Sequence, residues 1–147
     1  MSDLRVALVA EGPTDVVVIE AALKAVLAST FILTLLQPEP TRPKLGTGWG
    51  GVLRWCLEFT KRGATSLEED PTLPGFDLFI IQVDADVCED AYGDVSAEFA
   101  KLAAERAWPS LPQSVGCPPA SDGAEIVRSC VLAWLGLQEL GPRTVLC

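Results

Sequence analysis

Short apolar runs alternate along this chain with longer stretches of helical spacing, and that alternation limits its fold more than any other feature. Residues 5–10 (RVALVA) are apolar and rich in valine at both strand parities, so they read as a strand buried on both faces. Glu11-Gly12-Pro13 ends it in a turn, after which Thr14 or Asp15 can cap a helix. Nearly every residue of 16–28 is apolar, and the exceptions Glu20 and Lys24 stand four apart on one face where they can pair, which predicts a mostly buried helix. Residues 30–37 (TFILTLLQ) predict a second strand, which Pro38, Pro40 and Pro43 stop. The loop Gly46-Thr47-Gly48-Trp49-Gly50-Gly51 then opens a helix over residues 52–61, closed by Gly63.

Residues 64–75 are polar and broken by prolines, which predicts an exposed connection to a third strand at 76–83 (FDLFIIQV), ended by Asp84-Ala85-Asp86. Residues 90–93 read as loop, 96–107 as a helix capped by Ser96, and 108–119 as a proline-interrupted excursion. A last helix fits 124–140, with Asp122 near its start and Gly141-Pro142 at its end, and residues 143–147 (RTVLC) begin a fourth strand. Strands that alternate with helices pair in parallel through right-handed crossovers, so the expected fold is a three-layer α/β sheet of about four strands in one domain spanning 1–147. A strand at the extreme end, without a closing helix, adds the expectation of a truncated chain or of a partner that completes the fold. In such sheets the loops after each strand share one edge, which would gather Glu11, the glycine loop and the Asp84/Asp86 pair.

Composition removes whole reaction classes. There is no histidine, so no Ser-His-Asp or Cys-His nucleophile and no histidine-held zinc can operate. The five cysteines are odd in number, widely spaced and without a C-x-x-C pair, the pattern of reduced thiols rather than of a disulfide framework. No uninterrupted apolar run approaches the roughly 20 residues that cross a bilayer, and Met1-Ser2-Asp3 lacks the basic start of a signal peptide, so a cytoplasmic protein without a membrane partner is expected. A formal charge of −9 opposes passive attraction to a polyanion. The charges are nonetheless segregated: Arg42, Lys44, Arg54, Lys61 and Arg62 fall in one stretch, while Asp84, Asp86, Glu89, Asp90 and Asp94 crowd another.

Asp84 and Asp86 stand two apart at the end of an apolar strand, a spacing that points both toward one face. Two close carboxylates are costly to keep ionised unless a cation sits between them, and Mg²⁺ suits a few carboxylates with open positions left for phosphate oxygens. Acids that merely end a strand and face water are the competing reading. Glu11 follows the first strand at a point where Gly12 lets backbone approach a ligand, and could serve as metal ligand or as general acid or base; as a plain acid it would sit ahead of a helix N-terminus. Asp15 reads first as a helix-start acid. Gly46 and Gly48, with Arg42, Lys44 and Arg54 nearby, are candidates for contacting a substrate phosphate, against the alternative of a turn that permits close packing. The loop lacks the Gly-Lys-Ser/Thr ending of a nucleotide-binding P-loop. Among the tryptophans, Trp55 and Trp134 fit core positions, and Trp49 is the candidate for stacking on a base.

Val9-Ala10-Glu11-Gly12-Pro13-Thr14-Asp15 and Ile81-Gln82-Val83-Asp84-Ala85-Asp86 resemble, in order, the two signature segments of the Toprim family of topoisomerases, primases and nucleases. Glu-Gly-Pro-Thr-Asp looks most like the overcoming-lysogenization-defect nuclease branch and related small defence-associated proteins. The resemblance implies a Rossmann-like sheet on which Glu11 is a general acid/base or metal ligand, Asp84 and Asp86 are metal ligands and Asp15 is an accessory acid. It implies Mg²⁺ or Mn²⁺ as cofactor, DNA or RNA as substrate, phosphodiester cleavage as the reaction, and a role in phage defence. An ATPase or other protein partner, or self-association, would be compatible with it. The stretch after Asp86 lacks the glycine often found there in the family. Two readings stand against the nuclease: a catalytically idle interaction module that keeps the fold, and a receiver-like phosphoacceptor, which the lack of a lysine after the last strand disfavours.

Overall fold

The computed structural model describes residues 2–41, 44–113 and 121–147. In chain order the elements are β1 (Leu4–Val9), α1 (Pro13–Val26), β2 (Phe31–Gln37), α2 (Gly48–Arg62), β3 (Leu78–Ile81), a 3₁₀ turn (Ala85–Glu89), α3 (Tyr92–Val95), α4 (Ala97–Glu105), α5 (Ser121–Leu135) and β4 (Thr144–Leu146). The four strands form one parallel sheet in the order β2-β1-β3-β4, flanked by helices, which is the Rossmann-like α/β architecture that the alternating pattern predicts.

β1 is the middle of this arrangement. It pairs with β2 on one side and β3 on the other, and Val6 through Ala10 are all buried. Ala7 and Val9 join Phe79 and Ile81 against α2 and α5, in a core that includes Phe59, Trp134 and Val131. Val6, Leu8 and Ala10 face the other way, toward Leu23, Val16 and Ile19 of α1. A strand paired on both edges and covered on both faces has no polar positions to spare, which is why its sequence shows no alternation.

Several element boundaries depart from the sequence expectations for physical reasons. α1 starts at Pro13 with Gly12 as its cap rather than at Thr14 or Asp15, because proline's fixed φ suits the first turn. Its outer side is uncovered: Leu23 is its buried residue, while Val17, Val18 and Val26 are 67%, 62% and 75% exposed. The expected mostly buried helix is therefore corrected, although the Glu20–Lys24 pair forms at 2.7 Å. α2 begins at Gly48, so Gly48, Gly50 and Gly51 are its first turn rather than loop. Residues 90–93 contribute to the short helix α3, and α5 ends at Leu135, followed by Gly136 in the left-handed conformation at φ 69°, before Gly141-Pro142 is reached. β3 is shorter than residues 76–83, but the ladder continues past it, since Gln82 N–H donates to the Val9 carbonyl at 2.8 Å and Val83 N–H to that of Cys147 at 3.0 Å. Gly63 and Ser96 cap as predicted, the first left-handed at φ 72° and the second accepting from Phe99 N–H at 3.2 Å.

The 64–75 connection is not simply exposed, because Leu67 and Asp70 are buried in it. The Asp70 carboxylate accepts from Arg62 Nε at 2.7 Å and from the backbone and hydroxyl of Thr72, while Arg62 lies over the rings of Trp55 and Phe59. Burial pushes the Asp70 carboxyl up, but the bonds from Thr72 and Arg62 outweigh it and hold the group below its ordinary value of 3.8. A carboxyl depressed by folding contributes stability that is present above its unfolded value and lost as pH falls through its folded value. Asp70→Ala is expected to cost about 3 kcal/mol in urea unfolding near neutral pH, because it strands a half-buried guanidinium and the Thr72 N–H. The deficit relative to the parent chain should shrink below about pH 4, where the parent loses the same charge.

Candidate functional site

The chain leaves β1 toward β2 on one side and returns to β3 on the other, so the carboxyl ends of β1 and β3 flank the point where the strand order reverses. Loops diverge at such a point and leave a crevice, the usual ligand position in parallel sheets. Glu11 and Asp84 stand on its two rims.

They are joined directly. Glu11 Oε2 accepts from the Asp84 backbone N–H at 2.6 Å. Gln82 ties the two loops a second time: its Oε1 accepts from Glu11 N–H at 3.1 Å, and its Nε2 donates to Asp84 Oδ1 at 2.8 Å. Gly48 N–H donates to the Glu11 carbonyl at 2.7 Å and brings the start of α2 to the same edge. The expected gathering of Glu11, the glycine loop and the Asp84 loop is thus present, spanning more than 70 residues of sequence.

The electrostatics of the cluster are unfavourable. Partial burial raises the Glu11 carboxyl above its ordinary value; the Asp84 N–H opposes this, and the carboxylates of Asp84, Asp15 and Asp86 reinforce it. Asp84 is raised by burial and then by Asp15 and Asp86, with the Gln82 bond opposing. Four acids therefore sit within mutual electrostatic reach, and none of the ion pairs found among the described residues involves them. A hard cation fits this donor chemistry, since all the donors are carboxylate oxygens with uncompensated charge. Among the described residues, however, no three acidic or cysteine side chains are arranged to hold a metal ion together.

The residues considered for phosphate are less concentrated. Gly46 and Gly48 adopt φ of 80° and 70°, which glycine tolerates best, and the Gly46 carbonyl accepts from the buried Gln37 side chain at 2.7 Å. Arg54 donates to the Leu45 carbonyl at 3.2 Å and lies over the Phe99 ring at 5.2 Å. Lys44 is exposed, and Arg42 lies outside the described residues. Trp49 stacks on Trp134 at 6.0 Å and meets Tyr92 edge-on at 6.1 Å, so its ring is spent on packing rather than offered to a base.

Two residues at the edge escape a sequence reading. Gln82 is one; its signal is a polar side chain inside an apolar run just ahead of the acids, where burial demands partners. The other is Arg128, which shares with Asp84, Gln82 and Glu125 a cleft of about 340 Å³ between the β3 and β4 ends and α5. No motif marks Arg128, because only the packing of α5 carries it there.

No protein-family model matches the chain, and no curated protein or solved structure is significantly similar to it.

Two substitutions test this geometry. A Cβ at Gly51 would fall 2.5 Å from Gln37 Nε2 and 2.7 Å from the Gly46 carbonyl oxygen, so Gly51→Ala is expected to cost about 2–3 kcal/mol in denaturant unfolding. Asp86→Asn removes one of the repelling charges, so in low salt with chelator it should raise the thermal midpoint, by an amount that shrinks as salt is added.

Proposed function

We propose that this chain is a Toprim-like, Mg²⁺-dependent phosphoryl-transfer enzyme acting on nucleic acid, with cleavage of DNA or RNA as its reaction. The observation that carries the reading is the contact of Glu11 with the Asp84 loop at the sheet's switch point, with Asp15 and Asp86 close enough to raise both groups. It joins the two segments on which the family resemblance rests. Asp84 and Asp86, with Glu11, are the residues that would hold Mg²⁺ or Mn²⁺. When bound, such an ion supplies positive charge for phosphate oxygens and lowers the pKa of a coordinated water.

The chain's own residues supply the remainder. A Glu11 carboxyl raised by burial and by its acidic neighbours keeps a proton more readily than a free glutamate, which suits proton transfer to or from a phosphate oxygen. Gln82 fixes the Glu11 backbone relative to the Asp84 carboxylate, so neither loop can drift without breaking a bond. Arg128, across the cleft from Asp84, is available to neutralise phosphate charge, whereas Arg54 is engaged with the Leu45 carbonyl. An acidic protein would meet a polyanion here through such local cations and a bound metal rather than through its overall field.

A second reading, an interaction module without activity, is favoured by the lack of a convergent three-ligand arrangement among the described residues. The two differ in cleavage of supercoiled plasmid and of single-stranded DNA and RNA. The nuclease reading expects Mg²⁺- or Mn²⁺-dependent cutting that falls by at least about 100-fold in both Asp84→Ala and Glu11→Gln, the order of loss typical for removal of a proton-transfer group. It also expects Mg²⁺ to raise the melting temperature of the parent chain but not of Asp84→Ala. Absence of both effects would reject the nuclease in favour of the interaction module.

A further inference from the structure

The ladder between β1 and β2 slips at its end: Leu8 pairs with Leu35, but Val9 pairs with Gln37, so β2 carries Leu36 as an extra residue there. Leu33 and Leu35 pack toward α1, and Leu36 packs into the core shared with α2 and α5. Regular alternation would return Gln37 to the α1 side. Instead its Nε2 donates to the Gly46 carbonyl at 2.7 Å and stands where a Cβ on Gly51 of α2 would fall 2.5 Å away. An inserted strand residue re-aims side chains in this way, and such bulges recur next to active sites.

Gln37 is 1% exposed, and the other buried polar side chains among the described residues are Asp70, Gln82 and Thr144. Asp70 and Thr144 bond within the fold away from the acids, to Arg62 and to Glu68 respectively, and Gln82 lies between Glu11 and Asp84. A buried amide is costly unless bonded, and the Gln37 donor is spent on the loop that opens α2. Two residues beyond Gly46, Gly48 N–H donates to the Glu11 carbonyl at 2.7 Å. The Gln37 backbone carbonyl accepts from Ala10 N–H at 2.8 Å, so one residue holds both the chain just before Glu11 and the loop that grips it. Gln82 holds the Glu11 N–H from the β3 side at 3.1 Å. The Glu11 peptide is thus fixed at its N–H from one neighbour of β1 and at its C=O from the other.

We propose that Gln37 is a positioning residue for Glu11, acting through the Gly46–Gly48 loop to hold Glu11 against the Asp84 loop. The inference rests on Glu11 being the proton-transfer group of the proposed reaction. Glutamine suits the task, because its amide donates a hydrogen bond without bringing a further charge to an acidic edge. A displacement of about 1 Å at such a group is enough to slow a reaction by about 100-fold.

The test is Gln37→Met, which keeps the length and burial of the side chain but removes its donor. It is read by amide hydrogen exchange of the full chain and by metal-dependent cleavage. Thr60→Val is the control, since it removes the hydroxyl bond to the Trp134 carbonyl farther along α2. The amides of Gly48 and Asp84, both bonded to Glu11, should exchange about tenfold faster in Gln37→Met. The Val131 amide in α5 should keep the parent's rate, and Thr60→Val should leave Gly48 and Asp84 unaltered. In cleavage, kcat should fall by about 10- to 100-fold with KM held within about twofold. Unchanged exchange at Asp84 would overturn the proposal, because the effect would stop at the loop. Equal acceleration at Val131, or the same acceleration in Thr60→Val, would overturn it as a general loss of stability, and so would an unchanged kcat in a cleaving chain. A parent that does not cleave would reject the nuclease reading, while exchange at Asp84 would still decide whether Gln37 positions Glu11. If Gln37→Met does not fold, Gln37→Asn, whose amide is one carbon short of Gly46, takes its place in the same comparison.

Discussion

The burial of β1 on both faces and both edges is the constraint from which the remaining structure follows. Its ladder to β2 and β3 fixes where those strands can lie, and its side chains divide between the α1 layer and the α2/α5 layer. Because the run is apolar to its last residue, the first polar side chain after it, Glu11, has to emerge at the carboxyl edge. β3 ends beside it for the same reason, and the acids that close the two strands meet. The site is in this sense a by-product of two apolar strands being paired in register.

Two arrangements of acids in the molecule, one buried and one at the sheet edge, show contrasting electrostatics. Asp70 is buried with Arg62 and the Thr72 donors, so its charge is matched and its carboxyl is held low. Glu11 and Asp84 receive only uncharged donors, the Asp84 N–H and the Gln82 amide, so desolvation, reinforced by the neighbouring carboxylates, raises both. The first arrangement stabilises the fold by itself. The second gathers like charges without a matching cation at the sheet's switch point, the feature on which the proposed metal site rests.

Much of the layout is legible in the sequence, and the failures are instructive. RVALVA and FDLFIIQV suffice to predict parallel central strands, and Gly63 and Ser96 mark a helix end and a helix start that the structure reproduces. α1 reads as buried because its composition is apolar all round, yet a single helix over one sheet face can bury only the stripe it turns inward. The glycines at 48, 50 and 51 read as loop, but they form a helix turn in which Gly50 lies against Val95 and Gly51 against Gln37 and the Gly46 carbonyl, closer than a Cβ would allow. Local propensity cannot report an approach made by residues far away in the chain.

By itself the sequence determined the alternation of strands and helices, the apolar centre of the sheet, and the placing of Glu11, Asp84 and Asp86 just past strand ends. Periodicity and hydrophobic run length encode these directly, since each is a property of adjacent residues. Only the tertiary structure decided that Glu11 would rest on the Asp84 N–H, that Gln82 would tie both loops, that Arg128 would share Asp84's cleft, and that Arg54 and Trp49 would be occupied elsewhere. Those outcomes depend on strand order and helix packing, which bring together residues that local sequence leaves independent.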